Sequence, residues 1–462
     1  MPPDALIRRY DRNGPRYTSY PTAPQFNTGF GVDDYRAAAQ RANRLAAGAP
    51  LSLYVHIPFC ASPCFYCGCT KVITRRPEAA GQYLQRLTRE IALQAPLFAA
   101  GRSVEQLHFG GGTPTHLSPA QLGGLLDTLG RHFSLSGAAH REFSIEIDPR
   151  TLAPGQMAEL AALGFNRASF GVQDFDPAVQ RAVNREQSEA MVAALMESAR
   201  AAGLNSLSVD LIYGLPLQTA ESFGRTLDQV VRLRPDRISA YSYAHLPERF
   251  KAQRRIVTAQ LPDAATKLAL LRLTTERLLD AGYVHIGMDH FALPGDELAR
   301  ALEAGTLQRN FQGYSTRGGL DLVGLGMSAI GRTADSFSQN ARELDAYYAL
   351  LDAGRLAVQR GILLGKDDQV RRDVIAAVMC SGWLPYAEVE ARHGIVFADY
   401  FAAELRRLAQ FQDDGLVELR PQGLQVTPMG RYLLRAIAMS FDAYLPAAAA
   451  QAEEQRRFSR VI

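Results

Sequence analysis

Between residues 51 and 243 six short apolar runs alternate with five longer stretches of helical spacing. The short runs are LSLYVHI (51–57), VEQLHF (104–109), EFSIEI (142–147), RASFGV (167–172), LSVDLI (207–212) and RISAYSY (237–243). Between them lie AAGQYLQRLTREIALQAPLF, PAQLGGLLDTLGRHF, PGQMAELAALG, SEAMVAALMESARAAG and AESFGRTLDQVVRL. Strands that alternate with helices run parallel, because each helix carries the chain back to the edge where the previous strand began. An α/β fold with a parallel sheet, barrel-like or partly closed, is therefore expected. A further apolar segment, GYVHIGMDHFA (282–292), is read as closing the edge.

The flanks differ in character. Residues 1–48 read as an arm rich in Arg, Tyr and Pro (RRYDRNGPRYTSYPTAPQF) plus a short helix, and 49–295 as the barrel. Residues 296–362 form a connecting segment, and 363–462 a mostly helical domain. In that last part, DDQVRRDVIAAVMCSG, YAEVEAR and DYFAAELRRLAQF precede LVELRPQGLQVT, two strands joined at Pro421-Gln422-Gly423. A final helix starts near Pro428, and AAAAQAEEQ (447–455) is a helical or frayed tail. Helices followed by a hairpin resemble a winged helix. The mixed charge there favours a packing or lid role over DNA binding.

The formal charge of +3 with no long run of one sign argues against a nucleic-acid or membrane-surface partner. No segment approaches the roughly 20 apolar residues of a spanning helix. The N-terminus has no apolar core of a secretory signal, so a cytoplasmic location is expected. In that reducing setting clustered cysteines point to metal or redox chemistry rather than disulfides.

Four of the five cysteines, Cys60, Cys64, Cys67 and Cys69, fall within ten residues directly after the first strand, as C-x3-C-x2-C-x-C. Structural zinc usually takes two separated ligand pairs. Three thiolates at these spacings can instead wrap one corner of a [4Fe–4S] cube and hold three irons, leaving the fourth open. Zinc and bare thiols are the alternatives. Cys69, two residues beyond Cys67, is expected to point elsewhere, and Cys380, in VIAAVMCSGW, to be a buried core thiol. Polar or glycine-rich groups follow the other strands: FGGGTPT (109–115), Glu146, Gln173, Asp210 with YGLP, and Ala244. In a parallel barrel these all lie at one end. The glycines read equally as a close backbone approach to a ligand or as a tight turn. Any one polar group has a reading as a satisfied structural group, but several at successive strand ends point to a ligand. Ser52, Tyr54 and His56 share a strand face toward the cysteines, with His56 read as a hydrogen-bonded core histidine.

The cysteine pattern after a first barrel strand resembles the radical S-adenosylmethionine (SAM) superfamily. The likeness extends over nearly the whole chain to the bacterial oxygen-independent coproporphyrinogen III oxidases. It is carried by GPRYTSYPTAPQF (14–26), LSLYVHIPFCASPCFYCGCTKVITR (51–75), HFGGGTPT (108–115), FGVQDFDPAVQRAVNREQ (170–187), DLIYGLP (210–216), IGMDHFALPGDELA (286–299), NFQGYSTRGGLDLVGLGMSAI (310–330) and FSRVI (458–462). The related haem chaperones usually have an aromatic in place of the fourth cysteine and lack the arm. A haem carrier is the alternative reading.

The resemblance implies a partial (β/α)6 radical SAM barrel with an N-terminal arm and a winged-helix-like C-terminal domain. It implies a [4Fe–4S] cluster on Cys60, Cys64 and Cys67, and two SAM molecules. The first, on the open iron, would lie near Tyr54, Gly111, Glu146 and Ile330. The second would touch Gly112, Thr113, Gln173, Arg185, Asp210 and Ala244. Phe311 and Gln312 are implied near the active site, with the arm folded over the substrate opening. A 5′-deoxyadenosyl radical would take hydrogen from two propionates of coproporphyrinogen III. Loss of CO2 and one electron from each would give the vinyl groups of protoporphyrinogen IX. The electron donor and terminal acceptor are not identified, and a monomer is expected. Arg16 and the run LPERFKAQRR (Arg249, Lys251, Arg254, Arg255) are candidate partners for the anionic substrate, the run also reading as a solvated face.

Overall fold

A computed structural model describes residues 1–445; the AAAAQAEEQ tail and FSRVI lie outside the described residues. The contacts divide the chain into two compact units. One is Phe26–Asp263 with Leu320–Leu363; the other is Met1–Gln25, Ala264–Gly319 and the residues from Leu364 on. This grouping cuts across the four segments expected from sequence. Helix Val32–Leu45 goes with the first unit, whereas residues 1–25 go with the second.

The first unit is built on strands β1 (Leu51–Ile57), β2 (Ser103–Gly111), β3 (Glu142–Ile147), β4 (Arg167–Gln173), β5 (Ser206–Tyr213) and β6 (Arg237–Ser242). Each pairs in parallel with the next, so spatial order follows chain order. Every residue of β1 except Tyr54 is buried, the mark of a strand covered on both faces. The covering helices are α1 (Pro77–Gln94), α2 (Pro119–His132), α3 (Gln156–Ala162), α4 (Glu189–Ala201) and α5 (Ala220–Leu233). Their starts are written locally. Pro77 and Pro119 occupy the first turn, and Ser118, Ser188 and Thr219 accept backbone N–H groups as caps.

The sheet stays open. The second neighbour of β1 is β7 (Asp321–Leu325), also parallel. Strands β8 (Ile330–Thr333), β9 (Ser336–Asn340) and β10 (Val358–Leu363) then continue antiparallel. The expected connecting segment 296–362 thus contributes four strands to this sheet. Arg102, almost wholly buried, ties the start of β2 to that of β7 by donating to Asp321 Oδ2 at 2.7 Å. Helix α1 turns Tyr83, Leu87 and Ile91 inward, and Glu90 with them. The Glu90 carboxylate accepts from Tyr347 Oη (2.6 Å), the Gly326 amide (2.7 Å), Asn340 Nδ2 (2.5 Å) and Gln94 Nε2 (2.9 Å).

In the second unit, GYVHIGMDHFA forms a two-stranded hairpin, Val284–Gly287 with His290–Ala292. A second hairpin pairs Gln308–Asn310 with Gly313–Ser315. Helices Lys366–Cys380, Tyr386–His393 and Ala402–Asp413 precede the hairpin Val417–Arg420/Gly423–Val426, with Trp383–Pro385 as third strand. This is the helices-then-wing order expected. Tyr10, Tyr17 and Tyr20 of the arm are members of this unit's core. Tyr17 Oη donates to Asp442 Oδ2 at 2.9 Å, and Arg435 donates to the carbonyls of Pro15 (3.1 Å) and Gly14. Cys380 is a buried thiol of an apolar cluster, as expected. Among the described residues no helix is long and apolar enough to cross a membrane.

Candidate active site

Because β1 to β6 run parallel, their carboxyl ends meet at one edge, and the residues that follow them face each other there. After β1 the chain enters a loop whose two ends are zipped together. Phe59–Cys60 pairs in parallel with Val72–Ile73, bringing residues 60 and 73 side by side. The body of the loop is braced from three places. The Phe65 amide bonds the Val183 carbonyl (2.9 Å) and Asn184 Nδ2 bonds the Pro63 carbonyl (2.7 Å). Gln253 Nε2 reaches both the Tyr66 carbonyl (2.8 Å) and the Ala244 carbonyl (3.1 Å). Gln253 is buried inside the run LPERFKAQRR, whose Arg249, Lys251, Arg254 and Arg255 are exposed. That exposure fits the solvated-face reading.

The thiols sit in unlike surroundings. Cys60 Sγ lies 3.4 Å from Thr113 Oγ1, and burial pushes its thiol up to about 11. Cys64 is buried; Arg185 Nη1 (3.4 Å) and Arg150 Nη2 (3.5 Å) donate to its sulfur. Both guanidiniums are held by Asp148, at 3.0 and 2.6 Å. Burial raises Asp148, but the two arginines outweigh it and leave the carboxyl below its usual value. Cys67 Sγ accepts the Cys69 amide at 3.4 Å, and Lys71 Nζ bonds the Cys67 carbonyl at 3.1 Å. Hydrogen bonding from Cys69, with Lys71 nearby, draws the Cys67 thiol down to about 5, and the same contact drives Cys69 up. The chain turns back after Cys67 so that the Cys69 backbone N–H faces its sulfur.

The donor set suits a cluster. Among the described residues no three His, Cys, Asp or Glu side chains converge on one point as a single ion requires. A cubane gives each thiolate its own iron and so asks for a wider spread. Arginine donors on Cys64 and Thr113 beside Cys60 suit thiolates that carry charge.

Beside the loop, His56 Nε2 donates to the Thr70 carbonyl at 3.0 Å, so its other nitrogen accepts from Tyr54 Oη, also at 3.0 Å. Burial holds the ring neutral, lowering its pKa. Tyr54 stacks on His108 with ring centroids 5.8 Å apart. His108 bridges Ser144 Oγ (2.6 Å) and Glu146 Oε1 (3.2 Å), and the Gly111 amide donates to Glu146 Oε2 at 3.1 Å. Desolvation raises Glu146, but His108 and the Gly111 amide more than offset it, so the carboxyl stays ionised below its usual range. The glycine run is neither a bare turn nor only a ligand cradle. Gly111 has φ +120°, and a Cβ there would lie 2.7 Å from His56. A Cβ on Gly112 would lie 2.5 Å from the Pro58 carbonyl oxygen. The end of β2 passes too close to the end of β1 for a side chain.

Gln173 ends β4 in the left-handed region, φ +68°, where the pairing with β5 slips by one residue. The freed Gly171 carbonyl accepts from Arg185 Nη2 (2.6 Å) and Gln187 Nε2 (3.1 Å). Non-glycine residues in this region cluster at functional sites. Asp210 accepts from Ser169 Oγ at 3.1 Å; burial, with the Glu146 charge, raises its carboxyl to about 6. Ile330 opens β8 against Gly324, which is the register partner of Tyr54; a Cβ on Gly324 would lie 2.8 Å from the Ile330 carbonyl carbon. Phe311 and Gln312 form the turn of the hairpin at 308–315 in the second unit. There the Gln312 amide bonds Asn310 Oδ1 at 2.9 Å, while its side-chain Nε2 is buried without a protein partner.

Sequence reasoning passed over His108, Asp148, Arg150, Asn184 and Gln253. Two left a signal. His108 shares a face of β2 with Gly110, and Asp148 stands two residues past Glu146 in IEIDP. Arg150, Asn184 and Gln253 act across loops, where spacing carries no information.

Comparison with known proteins agrees with this arrangement. Residues 54–230 match the model of the radical SAM superfamily, and 364–433 that of the HemN C-terminal domain. The oxygen-independent coproporphyrinogen III oxidase of Pseudomonas aeruginosa is 52% identical over 457 residues, spanning 99% of this chain and 98% of that protein. The same enzyme of Escherichia coli is 50% identical over 458 residues, with 99% and 98% covered. The solved structure of coproporphyrinogen III oxidase (HemN) from Escherichia coli, described as a radical SAM enzyme, superposes with a TM-score of 0.91 at 49% identity. It covers 96% of this chain and 99% of that one. With about half of its residues identical over nearly its whole length, the chain belongs to the oxygen-independent coproporphyrinogen III oxidase family of radical SAM enzymes.

Proposed function

We propose that this chain oxidatively decarboxylates two propionate side chains of coproporphyrinogen III to vinyl groups without oxygen, giving protoporphyrinogen IX. The observation that carries the reading is the braced loop of Cys60, Cys64 and Cys67 facing the ionised Glu146 across the ends of β1 to β3. Hydrogen abstraction from an unactivated propionate carbon is beyond side-chain acids and bases, so a cofactor must supply it. Cys60, Cys64 and Cys67 would hold a [4Fe–4S] cluster, which would supply the one-electron reduction that SAM-dependent hydrogen abstraction requires. The haem-carrier alternative has no support in the relatives described above.

The chain's own groups bind and orient. Glu146, ionised and fixed by His108 and Gly111, is an acceptor for an amine or hydroxyl beside the open iron. Tyr54 is locked by His56 and His108, and the Ile330 backbone flanks the same strand. These residues are assigned to a first SAM. Gly112, Thr113, Gln173, Arg185, Asp210 and Ala244 are assigned to a second, with Asp210 placed to accept from a ribose diol. Gln312 Nε2, lacking a protein acceptor, is a donor for a ligand, and Phe311 sits beside it in the turn. The enzyme is taken to work as a cytoplasmic monomer with an external electron donor and a terminal acceptor.

Anaerobic turnover with coproporphyrinogen III, SAM and a reductant tests this, scoring 5′-deoxyadenosine and decarboxylated porphyrin together. Both are expected, and Cys64→Ala should abolish both. Deoxyadenosine without decarboxylation would remove the substrate assignment.

A further inference from the structure

The hairpin that carries Phe311 and Gln312 also carries Arg309, on the strand Gln308–Asn310 and in register with Tyr314. Its guanidinium lies over the Tyr314 ring, 4.6 Å from the centroid. Nε and Nη1 are buried and have no hydrogen-bond partner. No carboxylate among the described residues pairs with it. Asp289, in the neighbouring hairpin, is already taken by Arg16.

The local charge is one-sided. The phenol of Tyr314 feels Arg309, Arg431 and Arg16 together, and the His290 ring stands edge-on to it at 5.2 Å. Tyr314 cannot relieve Arg309, because its hydroxyl donates to the Met379 carbonyl at 2.8 Å and its face offers only the π cloud. Arg431 is likewise spent on a backbone carbonyl, that of Ile286, at 2.9 Å. A guanidinium with buried, unbonded N–H groups and no counter-charge is costly unless an anion arrives. Gln312 Nε2 is a second buried donor without a partner, three residues on in the same hairpin.

We propose that Arg309 binds a carboxylate of the substrate, and that this carboxylate is one of the propionates retained in the product. The proposal rests on the reading of the chain as a propionate decarboxylase. A hydrogen bond from guanidinium to carboxylate is charge-assisted, and the free Nε and Nη1, on different edges of the guanidinium, each leave an N–H for a carboxylate oxygen. The retained class follows from the chemistry. A departing carboxylate leaves as CO2 as its substrate radical gives up one electron to the acceptor. Pairing that carboxylate with a fixed cation would stabilise the anion and oppose the step. A cation without other duties therefore belongs on a propionate that stays.

Fluorescence titration of the anaerobically reconstituted enzyme with coproporphyrin III, protoporphyrin IX and their uncharged amides tests this. Arg309→Gln should weaken both acids about tenfold or more, equivalent to roughly 1.4 kcal/mol. The amides should be unaffected, and Arg309→Lys should recover part of the acid affinity. Unchanged acid binding, an equal loss for acids and amides, or a loss confined to coproporphyrin would each overturn the proposal. The second of these is what a purely structural arginine gives. If the unaltered enzyme binds neither acid, the substrate reading itself fails rather than the role of Arg309.

Discussion

One nitrogen of Arg185, Nη1, stands 3.4 Å from the Cys64 sulfur and 3.0 Å from Asp148 Oδ2. The arginine thus presents positive charge to a cysteine while a buried carboxylate keeps it aimed. Groups in this position around a metal ligand set ligand orientation and charge, and their removal typically costs about 10- to 100-fold in affinity or activity. Arg185→Ala is expected to lose iron to a chelator about tenfold faster than the unaltered protein, with Arg185→Lys between. Equal retention of iron and sulfide in all three would show that the contact is incidental.

Gly112→Ala places a methyl group 2.5 Å from the Pro58 carbonyl oxygen, a backbone atom that cannot swing away. Overpacking of this kind costs about 1–3 kcal/mol. The distortion falls on the residues just before Cys60. Reduced thermal stability of the apo-protein and a lowered iron content on reconstitution are expected together. The same exchange at Gly81, inside helix α1, where a Cβ would meet nothing within 4 Å, should lower neither.

Glu90→Ala should be the most destabilising of the changes considered. It leaves the Tyr347 hydroxyl, the Asn340 amide and the Gly326 N–H without their acceptor inside the protein. Breaking such a buried network costs about 3–5 kcal/mol. Burial raises the Glu90 carboxyl despite these donors; Glu90→Gln fills the same volume and keeps an acceptor oxygen for two of the four donors, so it should cost less. Urea unfolding of the two variants distinguishes them, and equal losses would mean that neither the volume nor the acceptor oxygen kept by glutamine contributes.

Asp210 predicts a pH dependence of the opposite sign to that of an ordinary salt-bridged carboxylate. Burial lifts its folded-state titration to about 6, against about 3.9 when unfolded. Between these values the folded chain holds a proton that the unfolded chain has lost, so this group's contribution falls as pH rises from 4 to 6. Its cost at pH 7 is roughly 3 kcal/mol. Asp210→Asn should therefore stabilise the apo-protein at pH 7 and give no advantage below pH 4. A gain independent of pH would exclude this origin.

The strand order was legible because strand and helix periods alternate without interruption, and the expected strands end within a residue or two of β1 to β6. The cysteine spacing likewise named the loop and the end of the sheet where it sits. What escaped was written in long-range pairing. Strands β7 to β10 lie far from β1 in sequence, and nothing in DLVGL says that it pairs with LSLYV. The division at 48/49 was misplaced for the same reason: the arm and helix Val32–Leu45 are adjacent in sequence but pack with different partners. Gln253 was hidden in a run whose other polar residues face solvent, and only the fold shows it turned inward onto Tyr66.

The clasp of Arg435 on the Pro15 carbonyl joins residues 420 positions apart. On a ribosome adding about 5–20 residues per second, the arm emerges roughly 20 to 80 s before its partner exists. During that interval Tyr10, Tyr17 and Tyr20 have no core to enter. Completion of the second unit is therefore tied to the end of synthesis, and a nascent chain stopped short of residue 435 would carry its first twenty residues undocked, available to chaperones or proteases.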